Sequence, residues 1–86
     1  MNRVLIVDDH WMIRKGLAQM LHDLHHHEVA EAEHAVAALR LLRNQPFDVV
    51  LLDLNLPLTA HAHAGEGSGL SLLREVRARG DKTPVL

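Results

Sequence analysis

Two short apolar runs, each closed by acid, constrain the fold of this chain more than any other feature. Val4-Leu5-Ile6-Val7 stops at Asp8-Asp9, and Val49-Val50-Leu51-Leu52 stops at Asp53. Both runs are continuously apolar and rich in β-branched residues. Strands of that kind are buried on both faces, as in a parallel sheet covered by helices. As parallel neighbours they would bring their C-terminal ends side by side. Three carboxylates would then meet at one rim, where open α/β sheets bind ligands. Clustered carboxylates repel one another unless a cation joins them, and Mg²⁺, hard and oxygen-loving, is the first choice.

The intervening pattern supports that architecture. Residues 3–8 read as the first strand and residues 10–24 as a helix, with Asp9 or His10 near its N-cap. Ile13, Leu17, Met20, Leu21 and Leu24 recur at spacings of three and four and make one face. A weaker strand covers about 28–32. The segment from His34 to Arg43 predicts a helix with Ala35, Ala38, Leu39 and Leu42 on one side, ended by Asn44-Gln45-Pro46. Residues 48–53 form the second strong strand, and a loop follows from Leu54 to Ser68. A third helix spans about 69–79, with Leu70, Leu73 and Val76 inward and Gly80 as its stop. Thr83–Leu86 begins another strand. Strand and helix therefore alternate, which means a parallel sheet with right-handed crossovers and helices on both faces.

Composition narrows the function. Apolar residues are 48% of the 86, enough for one small core, but aromatics are only 2%, so Leu, Val, Ile and Ala must build it. The net charge of −2 and the lack of a basic stripe argue against a nucleic-acid face in this segment. Without cysteine, neither a disulfide nor a thiolate zinc site can form. The longest apolar run is too short to cross a bilayer, and no signal-peptide pattern opens the chain. The expectation is a cytoplasmic protein without a membrane partner.

The Asp8-Asp9 pair, Asp53 and the segment Asp53-Leu54-Asn55-Leu56-Pro57 resemble the receiver domain of two-component response regulators. The run Val4-Leu5-Ile6-Val7-Asp8-Asp9-His10, with Arg14-Lys15-Gly16-Leu17 after it, is similar to the NarL/FixJ-like group, whose members carry a C-terminal helix-turn-helix output domain. The resemblance covers nearly the whole chain. It implies a flavodoxin-like doubly wound sheet and a phospho-accepting signalling domain rather than a conventional enzyme. It implies that Asp53 takes a phosphoryl group from a sensor histidine kinase. It also implies that Asp9 and Asp53 bind Mg²⁺ directly, that Asp8 acts mainly through water, and that the Asn55 backbone carbonyl completes the protein ligands. Phosphoryl transfer requires in-line positioning and neutralised charge, so the residue types suit the chemistry. Taken singly, any of these aspartates is as well explained as a strand-end or capping residue; the three together are not.

The chain also departs from the family pattern. Receivers usually place a Ser or Thr at the end of strand four and a Lys at the end of strand five. Thr83 precedes strand four, and Lys15 and Lys82 lie elsewhere. The expectation is an incomplete receiver over residues 1–86, ending inside strand four, with the output domain absent. Apolar surface meant for missing helices would then be exposed, inviting instability or homodimerisation. The alternative is a truncated or degenerate receiver acting as a phosphorylation-independent interaction module. An Mg²⁺-dependent hydrolase with an aspartyl nucleophile ranks lower, because Asn55 stands where such enzymes need a second acid.

Between Pro57 and Gly69 the connection is longer than receivers commonly use, and its small, polar, glycine-bearing sequence reads as a tolerated surface insertion beside the pocket. Of the eight histidines, His22, His25, His26 and His27 read as a solvated polar turn rather than a metal site, and His61 and His63 fall in the insertion. His10 is expected at the pocket rim in a supporting role. Trp11 packs by the pocket or lies partly exposed, and Arg74, Arg77 and Arg79 form a solvated face.

Overall fold

A computed structural model describes residues 2–24, 27–53, 56–57 and 68–86. The elements run β1 (Asn2–Val7), α1 (Trp11–Asp23), β2 (His27–Ala32), α2 (Ala35–Asn44), β3 (Val49–Leu52) and α3 (Ser68–Ala78). The strands are parallel in the order β2-β1-β3, so the most deeply buried strand is central. Val4 is in register with Val29 on one side and Val49 on the other, and Val7 with Ala32 and Leu52. Beyond β3 the chain returns to the sheet. Val85 bridges Val50 in parallel, fixed by hydrogen bonds from Val50 N to Pro84 O and from Leu86 N to Val50 O. The strand expected from Thr83 onward thus pairs where a doubly wound order of 2-1-3-4 requires.

Side chains alternate along β1. Leu5 and Val7 enter the main core with Ala35, Ala38 and Leu42 of α2, Val50 of β3, and Leu72 and Val76 of α3. Phe47, the lone phenylalanine, and Leu56 are also buried there. Val4 and Ile6 point to the opposite face and are buried too. His34 caps α2, its Nδ1 accepting a hydrogen bond from Ala37 N. Gly80 ends α3 at φ 81°, with Gly80 N donating to Arg77 O and Asp81 N to Val76 O, the paired bonds of a Schellman turn.

Two expected faces are corrected. On α1, Leu17 and Leu21 are half-buried, but Ile13, Met20 and Leu24 are exposed. Ile13 and Leu17 instead border an open groove of about 420 Å³ with Ile6, Leu51 and Leu86, because α1 lies against β1 and β2 and leaves the β3 side uncovered. On α3, Leu72 and Val76, four residues apart, enter the core; Leu70 is exposed and Leu73 half-buried. The α2 side chains packing against α3 select the Leu72 stripe. Among the described residues, no helix is long and apolar enough to cross a membrane.

Candidate functional site at the carboxyl rim of the sheet

The sheet ladder continues one residue past each strand end. Asp8 N donates to Ala32 O at 3.0 Å, and Asp53 N donates to Val7 O at 2.9 Å. These bonds flank the end of β1 on both sides and place Asp8 and Asp53 together at the rim. The chain then turns into α1, bringing Asp9 and His10 over the same spot. One potential ligand atom from each of Asp8, Asp9, His10 and Asp53 lies within 4.8 Å of all the others. The three aspartates meet as expected, and Asp53 keeps 23% of its side-chain surface exposed, so solvent reaches it. Asn55 lies outside the described residues, as do His25, His26, His61 and His63.

His10 is far more involved than a rim residue. It is the N-cap of α1, yet its side chain makes no capping bond. Its Nδ1 lies 2.6 Å from Asp8 Oδ1 and 3.8 Å from Asp53 Oδ2, and its backbone N–H donates to Asp8 Oδ1 at 2.8 Å. The hydrogen bond to Asp8, followed by the negative charge of Asp9 and then of Asp8, raises the imidazole pKa above its ordinary 6.5. The acids around it thus favour the protonated form of the ring. Trp11 beside it is exposed.

Asp9 Oδ1 is buried and accepts no hydrogen bond among the described residues, since His10 Nδ1 stands 3.1 Å away without hydrogen-bonding alignment. A buried carboxylate oxygen without a donor costs free energy unless a cation or water meets it. The three carboxylates at this solvent-reachable rim suit Mg²⁺, which takes one or two carboxylates and retains waters, with the His10 nitrogen beside them engaged by Asp8. The residues present therefore fit a divalent cation.

Arg14 and Glu31, which the sequence reading did not place in the site, support it from behind. Arg14 is the one charged residue that is buried among the described residues. Its Nη1 donates to Asp8 O at 2.8 Å and its Nε to Glu31 Oε1 at 3.2 Å. Lys15 Nζ donates to Glu31 Oε2 at 3.0 Å. The only sequence signal for this network is an arginine one turn into a helix whose first residues should face a rim.

A doubly wound sheet with an acidic cluster at its carboxyl rim defines a class of α/β domains fitted to hold a cation there. Comparison with known proteins makes the assignment narrower. The model of the response regulator receiver domain matches residues 4–86. The transcriptional regulatory protein YdfI of Bacillus subtilis is 34% identical over 87 residues, covering 100% of this chain and 37% of its own length. A chemotaxis protein CheY homolog of Campylobacter jejuni is 38% identical over 77 residues, covering 88% of this chain and 53% of its own. Among solved structures, CheY4 of Vibrio cholerae superposes with a TM-score of 0.84 at 30% identity, over 99% of this chain and 65% of its own. TrrA from Thermotoga maritima, in complex with Mg²⁺-BeF, gives 0.81 at 30% identity, over 99% and 66%. This chain belongs to the response regulator receiver domain family, and it spans between about a third and about half of the curated relatives named here.

Proposed function

We propose that Asp53 is the phospho-acceptor of this receiver and that Mg²⁺ is held by Asp9 and Asp53, with Asp8 acting through water and the Asn55 carbonyl as a further ligand. The observation that carries this reading is the convergence of the three carboxylates, with a buried Asp9 oxygen that has no hydrogen-bond donor among the described residues. Asp8 is already engaged by His10, consistent with an indirect role. In the transfer, an Asp53 carboxylate oxygen forms a bond to the phosphorus of a sensor histidine kinase's phosphohistidine. The phosphorus–nitrogen bond breaks, and its electron pair returns to the kinase imidazole. Bound Mg²⁺ supplies neutralisation of charge on the phosphoryl oxygens. Asp53 contributes the nucleophile at a solvent-reachable rim, and the hydrogen bond from its backbone N–H to Val7 O fixes where that nucleophile stands.

The same reading puts the 86 residues within a longer NarL/FixJ-like regulator, as its first strand through the start of its fourth, with a C-terminal DNA-binding output domain outside them. Support comes from YdfI, described as a transcriptional regulatory protein, of which the match covers 37%. Such a regulator acts in the cytoplasm. Homodimerisation is part of the proposal and is supported by the apolar groove beside α1.

Beryllofluoride binding tests the reading. With Mg²⁺, the wild-type protein should show bound fluoride resonances in ¹⁹F NMR, and Asp53→Asn should show none. Absence of bound beryllofluoride in the wild type would overturn the phospho-acceptor assignment and favour the phosphorylation-independent interaction module.

A further inference from the structure

We infer that Arg14 is a positioning residue for the cation site, clamping the β1–α1 turn so that Asp8 and Asp9 face Asp53. The inference rests on the Mg²⁺ reading above and deepens it. Arg14 is enclosed, and an arginine is rarely enclosed unless its guanidinium has fixed partners. Arg14 has two, on different elements: the backbone carbonyl of Asp8 and the carboxylate of Glu31, the penultimate residue of β2. The planar fork of arginine can meet both at once. Asp8 is consequently tied through every polar part. Its N–H goes to Ala32 O, its carbonyl receives Arg14, and its carboxylate receives His10. Lys15 holds the far oxygen of Glu31, which keeps that carboxylate in place under the guanidinium.

Apart from Arg14, the turn carrying Asp8, Asp9 and His10 is held by the Asp8 N–H bond to Ala32 O and by the bonds of His10 to the Asp8 carboxylate. No acidic residue stands in the first turn of α1, and the His10 side chain does not cap it. Its remaining anchor into the helix is the Arg14 N–H bond to His10 O at 3.0 Å. Arg14 therefore fixes this turn twice, through its backbone and through its side chain. Without the guanidinium, the Asp8 carbonyl loses its donor and the Asp8–Asp9 peptide keeps only the His10 N–H bond to Asp8 Oδ1 to hold its orientation. Rotation of that peptide swings the Asp9 carboxylate, the one whose inner oxygen lacks a donor among the described residues, away from Asp53.

The test is Mg²⁺ titration followed by calorimetry and by fluorescence of Trp11, the single tryptophan. Arg14→Met should weaken Mg²⁺ binding by about tenfold, the low end for loss of an outer-shell partner. Arg14→Lys keeps the charge but reaches one acceptor at a time, and should weaken it by about threefold. Val76→Ala, on the core face of α3, is the control for lost stability alone, and should leave the Mg²⁺ dissociation constant unchanged. If Arg14→Met does not fold, as judged by circular dichroism, Arg14→Lys decides. Wild-type Mg²⁺ affinity in Arg14→Lys in that case, or in a folded Arg14→Met, overturns the positioning role while leaving the Mg²⁺ reading intact. A fall in affinity for Val76→Ala equal to that of the Arg14 variants also overturns the positioning role. Failure of the wild type to bind Mg²⁺ overturns both.

Discussion

Replacing Asp9 by asparagine should stabilise this domain without divalent cations and lose that advantage when Mg²⁺ is present. The ligand atoms of Asp8, Asp9 and Asp53 lie within 4.8 Å of one another. Two unit charges at that distance repel by about 1 kcal/mol in the dielectric of water, and by about 3.5 kcal/mol at the effective constant near 20 that describes protein surfaces. The Asp9→Asn substitution removes the two repulsions that involve Asp9. It also removes one attraction, to the His10 ring 3.1 Å away when that ring is protonated. The closer attraction offsets about one and a half of these repulsions when the ring is protonated and none when it is neutral, so about one repulsive pair is the intermediate net gain. Because 30% of the Asp9 side chain is exposed, screening argues for the low end, about 1 kcal/mol. Among the described residues no hydrogen bond to Asp9 Oδ1 is lost, and the new amide can donate to a neighbouring carboxylate. For a domain of this size, about 1 kcal/mol corresponds to a rise of roughly 4–8 °C in Tm. Saturating Mg²⁺ reverses the order, since a cation at 100 times its Kd stabilises the wild type by about 2.7 kcal/mol and binds the variant weakly. Thermal unfolding followed by circular dichroism, once in chelator and once in Mg²⁺, reads both effects. A variant that melts at or below the wild-type temperature in chelator would refute the charge-repulsion argument. Equal Mg²⁺ stabilisation of both proteins would refute the role of Asp9 as a ligand.

Substitutions at two further positions test the α3 end. Gly80→Ala should cost about 1 kcal/mol, read as a lower urea midpoint, because Gly80 sits at φ 81° where an L side chain is strained although nothing lies within 4 Å of the added methyl. Gly80→Asn should lose less, since asparagine tolerates that region better. At Asp81, the Thr83 hydroxyl and then the Thr83 backbone N–H donate to the carboxylate and hold its pKa below the usual range. Because the folded form is the more acidic one, this contribution is complete above the ordinary carboxylate pKa and disappears as pH falls through the lower folded value. Thr83→Val, which removes the hydroxyl donor, should therefore reduce stability at neutral pH and narrow the loss on acidification, measured as urea midpoints from pH 7 to about pH 3.

The parts of the fold visible in the sequence are those decided locally. β1 and β3 are short, continuous and β-branched, and no competing pattern exists for them. The α2 stripe at Ala35, Ala38 and Leu42 is the one that reaches the core. The α3 face is ambiguous in the sequence because Leu70, Leu72, Leu73 and Val76 offer two stripes on one helix. Leu73 with Val76 and Leu72 with Val76 are both acceptable helical spacings. Only contact with α2 distinguishes them, and that contact joins residues some thirty positions apart, beyond the reach of any local period. Leu56 shows the same limit. It follows Asp53 in a segment that reads as loop, yet it is fully buried in the main core. A leucine two residues before a glycine-bearing connection carries no periodic signal that could announce its burial.

The site divides along the same line. Where Asp8 and Asp53 stand is a property of strand ends, and two ladder hydrogen bonds, Asp8 N to Ala32 O and Asp53 N to Val7 O, are enough to bring them together. That much follows once β1 and β3 are parallel neighbours. Which way the Asp8–Asp9 peptide faces is a different quantity, and it is set by groups from α1 and β2. Arg14 holds the Asp8 carbonyl, Glu31 orients Arg14, and His10 folds back onto the Asp8 carboxylate. Neither Arg14 nor Glu31 looks chemically active in isolation, and each has an ordinary reading as a helix or strand surface residue. A sequence shows which residues can supply charge to a site. The direction in which that charge is aimed depends on hydrogen bonds to backbone atoms, and these exist only after the elements have packed. That is why the acids are legible in the sequence and the arginine that aims them is not.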